Sequence, residues 1–364
     1  MSNRKGPPGN NDAPRSLRVV AIGGGTGLST LLRGLKSFVP NPTMPIAVPL
    51  PGTVIGELSA VVTVSDDGGS SGRLRKDLNM LPPGDIRNCI VALSEDEALL
   101  SKLFRHRFKQ GSGLEGHSFG NLFLAALTSI TSDFAEAVRL SAEILLTRGH
   151  IFPATTSNVE LEAIMEDGTH VRGETKITAS KGRIHELVLV PPDVQPLPQT
   201  LQAIANADLI TMGPGSLFTS LIPNLLVRGI AQAIIESHAI KVYICNLMTQ
   251  ANESLGLTAA DHIRALDHHA GGVHIFDYAL INRTPASQEM KAKYALEGAS
   301  QIVADLEAIE AVNVCPVFGD YLLEDCGVAR HNYERVAHDL MELACQSSSP
   351  ENRIAPNRRS KMNS

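Results

Sequence analysis

The sequence predicts an α/β fold: a doubly wound, mostly parallel sheet with helices on both faces and one small β-rich insertion. Three observations carry that prediction. Short apolar runs alternate with helix-period segments along most of the chain, the pattern of strands joined by crossover helices. Two of the runs end on bare glycine turns that open straight into a new helical stretch. Between 151 and 196 the alternation tightens to apolar/polar around Asp167-Gly168, a hairpin dipeptide.

Taken in order, LRVVAI (17–22) is a buried strand. After the glycines, LSTLLRGLKSF places Leu28, Leu31, Leu32, Leu35 and Phe38 on one helical face. The Pro-rich stretch 39–58 is expected to be an irregular loop, and SAVVTV (59–64) the second strand. Residues 74–115 read as helical, broken by LPPGD, with Asp85 as the expected cap of the helix IRNCIVAL. GHSFGN opens the helix LFLAALTSI, and DFAEAVRLSAEILL forms another. The insertion, 151–196, holds the hairpin VELEAIMEDGTHVRGETKI and a further strand, RIHELVLV. Then LPQTLQAIANA is a helix, DLITM a strand, and LFTSLIPNLLVRGIAQAII a helical segment expected to break near Pro223. KVYICNL and FDYALIN are strands, while TAADHIRALDHH and NYERVAHDLMELAC are helices. Residues 1–16 and 346–364 are polar and read as disordered tails, which leaves 17–345 as one domain.

Composition narrows the partners. The chain is 43% hydrophobic but only 4% aromatic, with no Trp, so its core is aliphatic. Its 32 basic and 38 acidic residues give a net charge of −6, which argues against a general nucleic-acid binder. No run of ~18 apolar residues occurs, so no membrane span is predicted. Five cysteines, an odd count without a CxxC pair, point to reduced and mostly buried thiols in a cytoplasmic protein.

The two glycine turns are Gly23-Gly24-Gly25-Thr26-Gly27 and Gly213-Pro214-Gly215-Ser216. In doubly wound sheets ligands bind beyond the carboxyl ends of the strands, where both turns fall. Glycine lets backbone N–H groups approach an anion, and the next helix adds unpaired N–H groups and the positive end of its dipole. Thr26 and Ser216 add hydroxyls. An ordinary tight βα connection would account for one such turn; two together favour phosphate binding. Neither matches a dinucleotide fingerprint, since Leu28 stands where G-x-G-x-x-G needs glycine, and neither ends in the Gly-Lys-Ser/Thr of a P-loop.

Asp66-Asp67 follows the second strand, where an acid can contact a ribose or hold Mg²⁺ through water, or simply close an Asx turn. His117 and Asn121 stand at a helix start, as a phosphate donor and an amide reader or as plain caps. Asn158, Asn246 and Gln250 are loop amides of modest weight. The run Asp267-His268-His269 has no third ligand at zinc spacing, and neither HExxH nor a nucleophile elbow is present.

Read together, AIGGGTGLSTLLRGLK, VVTVSDDGGSSGRLR, PPGDIRNCIVAL, GHSFGNLFLAAL, SNVEL, ADLITMGPGSLFTSLIPNLL, CNLMTQ and RHNYERVAHDL resemble the CofD-like family, most closely its YvcK branch of gluconeogenesis factors, over about 17–345. The resemblance implies a Rossmann-like core with a cleft at the strand ends. It also implies that Thr26, Asp66, Asp67, Gly213, Pro214, Gly215, Ser216 and Arg330 lie on segments lining a nucleotide site. For the CofD branch it implies transfer of a phospholactyl-type group from a guanosine diphosphate donor to a deazaflavin, with Mg²⁺. For the YvcK branch it implies binding of UDP-N-acetylglucosamine and support of cell shape and wall synthesis under gluconeogenic growth, with no established catalytic step. The chain departs in a longer stretch at 39–57, in TASKG, and at Tyr333, where some members carry a Thr that is a kinase target.

The leading expectation is therefore a nucleotide-sugar-binding regulator with no certain cofactor. A Mg²⁺-dependent transferase comes second, and an NAD(P) enzyme well behind. Five Tyr and ten Phe offer little wall for a deazaflavin to stack on, which favours the regulator. The sequence leaves a homo-oligomer and a regulatory protein partner open.

Overall fold

A computed structural model describes residues 15–41, 53–95 and 99–346. Its strands, in chain order, are β1 (Arg15–Gly23), β2 (Thr53–Val62), β3 (His150–Pro153), β4 (Glu160–Met165), β5 (His170–Arg172) and β6 (Ile184–Val190). They continue as β7 (Leu209–Met212), β8 (Ile240–Ile244), β9 (Tyr278–Asn282), β10 (Cys315–Gly319), β11 (Leu322–Asp325) and β12 (Val328–His331). Seven of them form a parallel sheet in the order β10-β9-β8-β7-β1-β2-β3. The chain grows outward from β1 on one side and from β7 on the other, so the boundary between β1 and β7 is a topological switch point. Val19–Ile22 and Leu209–Met212 are buried throughout, as central parallel strands covered on both faces must be.

Helices α1 (Gly25–Lys36), α2 (Gly69–Leu78), α3 (Gly84–Leu93), α4 (Leu99–Arg105), α5 (Phe119–Thr131), α6 (Phe134–Ile144) and α7 (Glu174–Ala179) come next in the argument. The helix α1 turns Leu28, Leu31, Leu32 and Leu35 into the core, the stripe read from their spacing. Ser118 caps α5 by accepting the Asn121 N–H, and Asp133 caps α6 by accepting two backbone N–H groups. A capping box of Thr258 and Asp261 opens the helix Ala259–His269. No single described helix is long and apolar enough to cross a membrane.

Several expectations are corrected. β2 begins at Thr53, so the part of the Pro-rich segment from 53 to 58 is strand; the part from 42 to 52 lies outside the described residues. Residues 106–118 form turns rather than helix. Asp85 does not cap α3: Pro83 takes the cap position, and Asp85 sits in the first turn. The insertion starts after β3, because β3 pairs in parallel with β2 in the main sheet; the separate antiparallel sheet is β5-β4-β6. GETKI, read as strand, opens α7, since Gly173 at φ +101 ends the hairpin and Glu174 starts a helical turn. The helical run after β7 begins as a π-helix, Leu217–Leu221, and breaks at Val227–Gly229 rather than at Pro223, which sits harmlessly in a first helical turn. Helices Gln288–Ala295 and Leu306–Ala311 and strands β10, β11 and β12 were not anticipated. Cys89 and Cys245 are buried, but Cys315 and Cys326 are exposed. The expected tails fall outside the described residues except at Arg15, Ser16 and Gln346, which belong to β1 and the last helix.

Candidate functional site

Both glycine turns lie at carboxyl ends of the two strands that flank the switch point. β1 ends at Gly23, and Gly24 precedes α1 with no side chain capping it. The first turn of α1 holds no acid, while Arg33 and Lys36 stand in its last turn. A side chain on Gly24 would lie 2.9 Å from a carboxylate oxygen of Asp85, and Asp85 accepts the Gly25 N–H. Gly25 itself is at φ +62, a region that disfavours side chains.

The second turn is built against the first. Gly213, at φ +89, closes over the end of β8: a Cβ there would stand 2.7 Å from the Ile244 carbonyl oxygen. Gly215 is gripped on both polar groups by Asn246, whose Nδ2 donates to the Gly215 carbonyl (2.7 Å) and whose Oδ1 accepts its N–H (3.2 Å). Ser216 starts the π-helix without a side-chain cap, and its hydroxyl accepts a hydrogen bond from Gln250 Nε2 at 2.9 Å. A Cβ on Gly27 would overlap the Pro214 carbonyl, 2.7 Å from its carbon and 3.1 Å from the Gly215 nitrogen. The two turns therefore touch backbone to backbone.

Between and above them opens a cleft of about 620 Å³. Gly24, Gly25, Thr26, Gly27, Pro214, Gly215, Ser216, Asn246, Gln250 and Arg330 line it together. Gly213 lies beneath. Thr30, Glu253, Tyr294, Glu297 and His331 also line the cleft and were not anticipated. Tyr294 and Glu297 come from the unpredicted helix Gln288–Ala295 and the turn after it, so no motif in the sequence marked them; His331, on β12, lies within RHNYERVAHDL beside Arg330. Tyr294 is positioned by accepting the Ala329 N–H on its hydroxyl.

Arg330 lies three positions ahead of the last helix, Tyr333–Gln346, on a strand rather than in the helix's own first turn. It sits on β12 opposite Leu323, with its guanidinium 3.5 Å from the exposed Asp325 carboxylate. Among the described lining residues it is the one permanent cation. Neighbouring His331 donates from Nε2 to the Cys245 carbonyl, and burial pushes its pKa down to about 4, so it carries no charge near neutrality.

The remaining predicted residues do not line the cleft. Asp66 accepts the Gly68 N–H at 2.8 Å, an Asx turn. Asp67 accepts the N–H and hydroxyl of Thr175 and so ties α7 to the main body. His117 and Asn121 are buried in a network: Ser70 bonds to His117 Nδ1 at 2.9 Å, Asn121 Nδ2 donates to Ser70, and Arg87 donates to Asn121 and Ser118. That network joins α2, α3 and α5. Asn158 is exposed on the loop after β3. Behind the first turn, carboxylates crowd: burial, with Asp66, Asp85, Asp67 and Glu253 nearby, raises the Glu174 pKa to about 9. Burial beside Asp66 likewise raises Asp85 to about 6.

A parallel sheet with two bare helix starts meeting at its switch point defines an α/β protein with a cleft at the carboxyl ends of its strands. The profile of the CofD family, described as 2-phospho-L-lactate transferase CofD, matches residues 19–322, and the chain belongs to that family. It is 48% identical to a gluconeogenesis factor of Halalkalibacterium halodurans, over 91% of this chain and 98% of the relative. It is 45% identical to the gluconeogenesis factor of Bacillus subtilis, over 90% and 98%. A crystal structure of a Bacillus halodurans protein superposes with a TM-score of 0.83 at 47% identity, covering 90% of this chain and all of the other.

Proposed function

We propose that the cleft binds a nucleotide sugar, UDP-N-acetylglucosamine, and that the protein is a regulator serving cell shape and wall synthesis under gluconeogenic growth. The observation that carries this reading is the meeting of two uncapped helix starts, on touching glycine turns, opposite Arg330. A diphosphate lies naturally across the N–H groups of both turns other than those of Gly25 and Gly215, which Asp85 and Asn246 hold, with the guanidinium closing over it. Tyr294 offers an aromatic wall on the same side as Arg330. The similarity to gluconeogenesis factors supports the assignment. A regulator without catalysis agrees with two features: His331 on the lining is held neutral, and Asp66 and Asp67 lie off the lining, turned to backbone and Thr175.

Calorimetric titration with UDP-N-acetylglucosamine, GDP and NAD tests this reading. The nucleotide sugar is expected to bind most tightly, and NAD binding at least as tight would overturn it.

The carboxylate crowding behind the first turn favours one second reading, a Mg²⁺-dependent transferase acting on a nucleotide diphosphate donor. The acids do not form a ready cage, because one oxygen each of Asp66 and Asp67 is already engaged. They fit a Mg²⁺ held by the second Asp66 oxygen, water and the ligand's own phosphates, as Mg²⁺ sites commonly are. Mg²⁺ would there neutralise phosphate charge. Donor consumption that requires Mg²⁺ would favour this reading over the first.

A further inference from the structure

A second cavity, of about 540 Å³, opens beside the cleft, between the small antiparallel sheet and the helix Ala259–His269. Its floor is apolar, with Phe218, Leu257 and Ala265. One side is a chain of rings: Phe218 and His269 stand 6.1 Å apart, His269 and His268 5.0 Å, and His268 and His185 6.2 Å. His269 is fixed as a neutral ring, since Nδ1 donates to the Ala265 carbonyl and Nε2 accepts the Leu187 N–H. At the mouth stand Lys181 and Arg183, whose side chains have no hydrogen-bond or ion-pair partner among the described residues. The third cation, Arg264, is paired with Asp261, and Glu166 is the one unpaired carboxylate at the mouth among the described residues.

Glu253 is the residue that the two linings share, and it is 7% exposed. One of its oxygens accepts the Thr219 hydroxyl from the π-helix, and the other has no partner among the described residues. A buried polar atom left unpaired is costly, and such an atom between two cavities is what a ligand group can satisfy.

From these features we infer a second small-molecule site, which takes an organic anion with a ring or alkyl body: the body lies on the ring-lined floor and the anionic group meets Lys181 and Arg183. Its volume is that of ordinary ligand pockets. The site is separate from the glycine turns and does not rest on the nucleotide reading.

The probe is 8-anilinonaphthalene-1-sulfonate, titrated by fluorescence and calorimetry into the full chain with no nucleotide present. Saturable binding of one equivalent is expected. The double change Lys181→Glu with Arg183→Glu, on exposed positions, should weaken it at least tenfold. Ala265→Phe, which fills the floor, should abolish it while melting temperature stays near that of the parent. Should Ala265→Phe unfold the protein, the charge-reversed variant still decides. Absence of saturable binding, or probe affinity in the charge-reversed variant equal to the parent's, overturns the site.

Discussion

Gly27→Ala isolates the contact on which the proposed cradle depends. A methyl group there would come 2.7 Å from the Pro214 carbonyl carbon, against an ordinary separation of ~3.5–4 Å between such atoms. The obstructing atoms are backbone, so the two turns must part by roughly 1 Å. Two effects oppose each other in the free protein. Alanine favours helix over glycine by ~1 kcal/mol, and Gly27 lies in the first turn of α1. Overpacking costs ~1–3 kcal/mol. The net loss of stability is therefore small, ~0–2 kcal/mol, and the fold survives. Binding suffers more, because a diphosphate spanning both turns loses hydrogen bonds worth ~1.5–3 kcal/mol each once they part. Affinity for UDP-N-acetylglucosamine should fall at least tenfold by calorimetry, with a melting temperature only a few degrees lower. Parental affinity together with parental melting temperature would refute the argument that the turns act as one cradle.

Arg330→Glu should cut affinity by at least about tenfold, ~1.4 kcal/mol, and Arg330→Lys by less. Its ion pair with exposed Asp325 is worth little, so the melting temperature of the free protein should hold; unchanged affinity would place Arg330 outside the site. Asp67→Asn should cost ~1–2 kcal/mol of stability in urea unfolding, through the lost Thr175 anchor, while affinity stays within about twofold. A tenfold loss of affinity would return Asp67 to the ligand. Glu174 titrates at about 9 in the folded chain, against an ordinary 4.5, chiefly because it is desolvated and secondly because Asp66 and Asp85 are near. The folded state then holds an extra proton between those values, so stability should fall as pH rises from about 5 to about 9. Urea melts should show the slope in the parent and lose it in Glu174→Gln above about pH 6, beyond the range in which Asp85 contributes; an equal slope in both between about 6 and about 9 would rule Glu174 out as its source.

What the sequence determined alone is the local pattern. Burial period and turn chemistry act over a few residues, so the alternation of strands and helices, the Asp167-Gly168 hairpin and the two glycine turns could all be read directly. The glycine turns were legible because close backbone approach leaves a signature in residue type. Tertiary structure decided what those turns are near. Strand order brings Gly27 onto Pro214, and the pairing of β12 with β11 fixes Arg330 opposite Leu323, just ahead of the last helix. It also decided which polar groups were already spent. Asp67 meets Thr175 across 108 residues, Asn246 grips Gly215 across 31, and His117 turns inward to Ser70 across 47. A carboxylate, an amide or an imidazole offers the same donors and acceptors to a ligand as to a distant backbone. Only the packing of remote segments determines which of the two it meets.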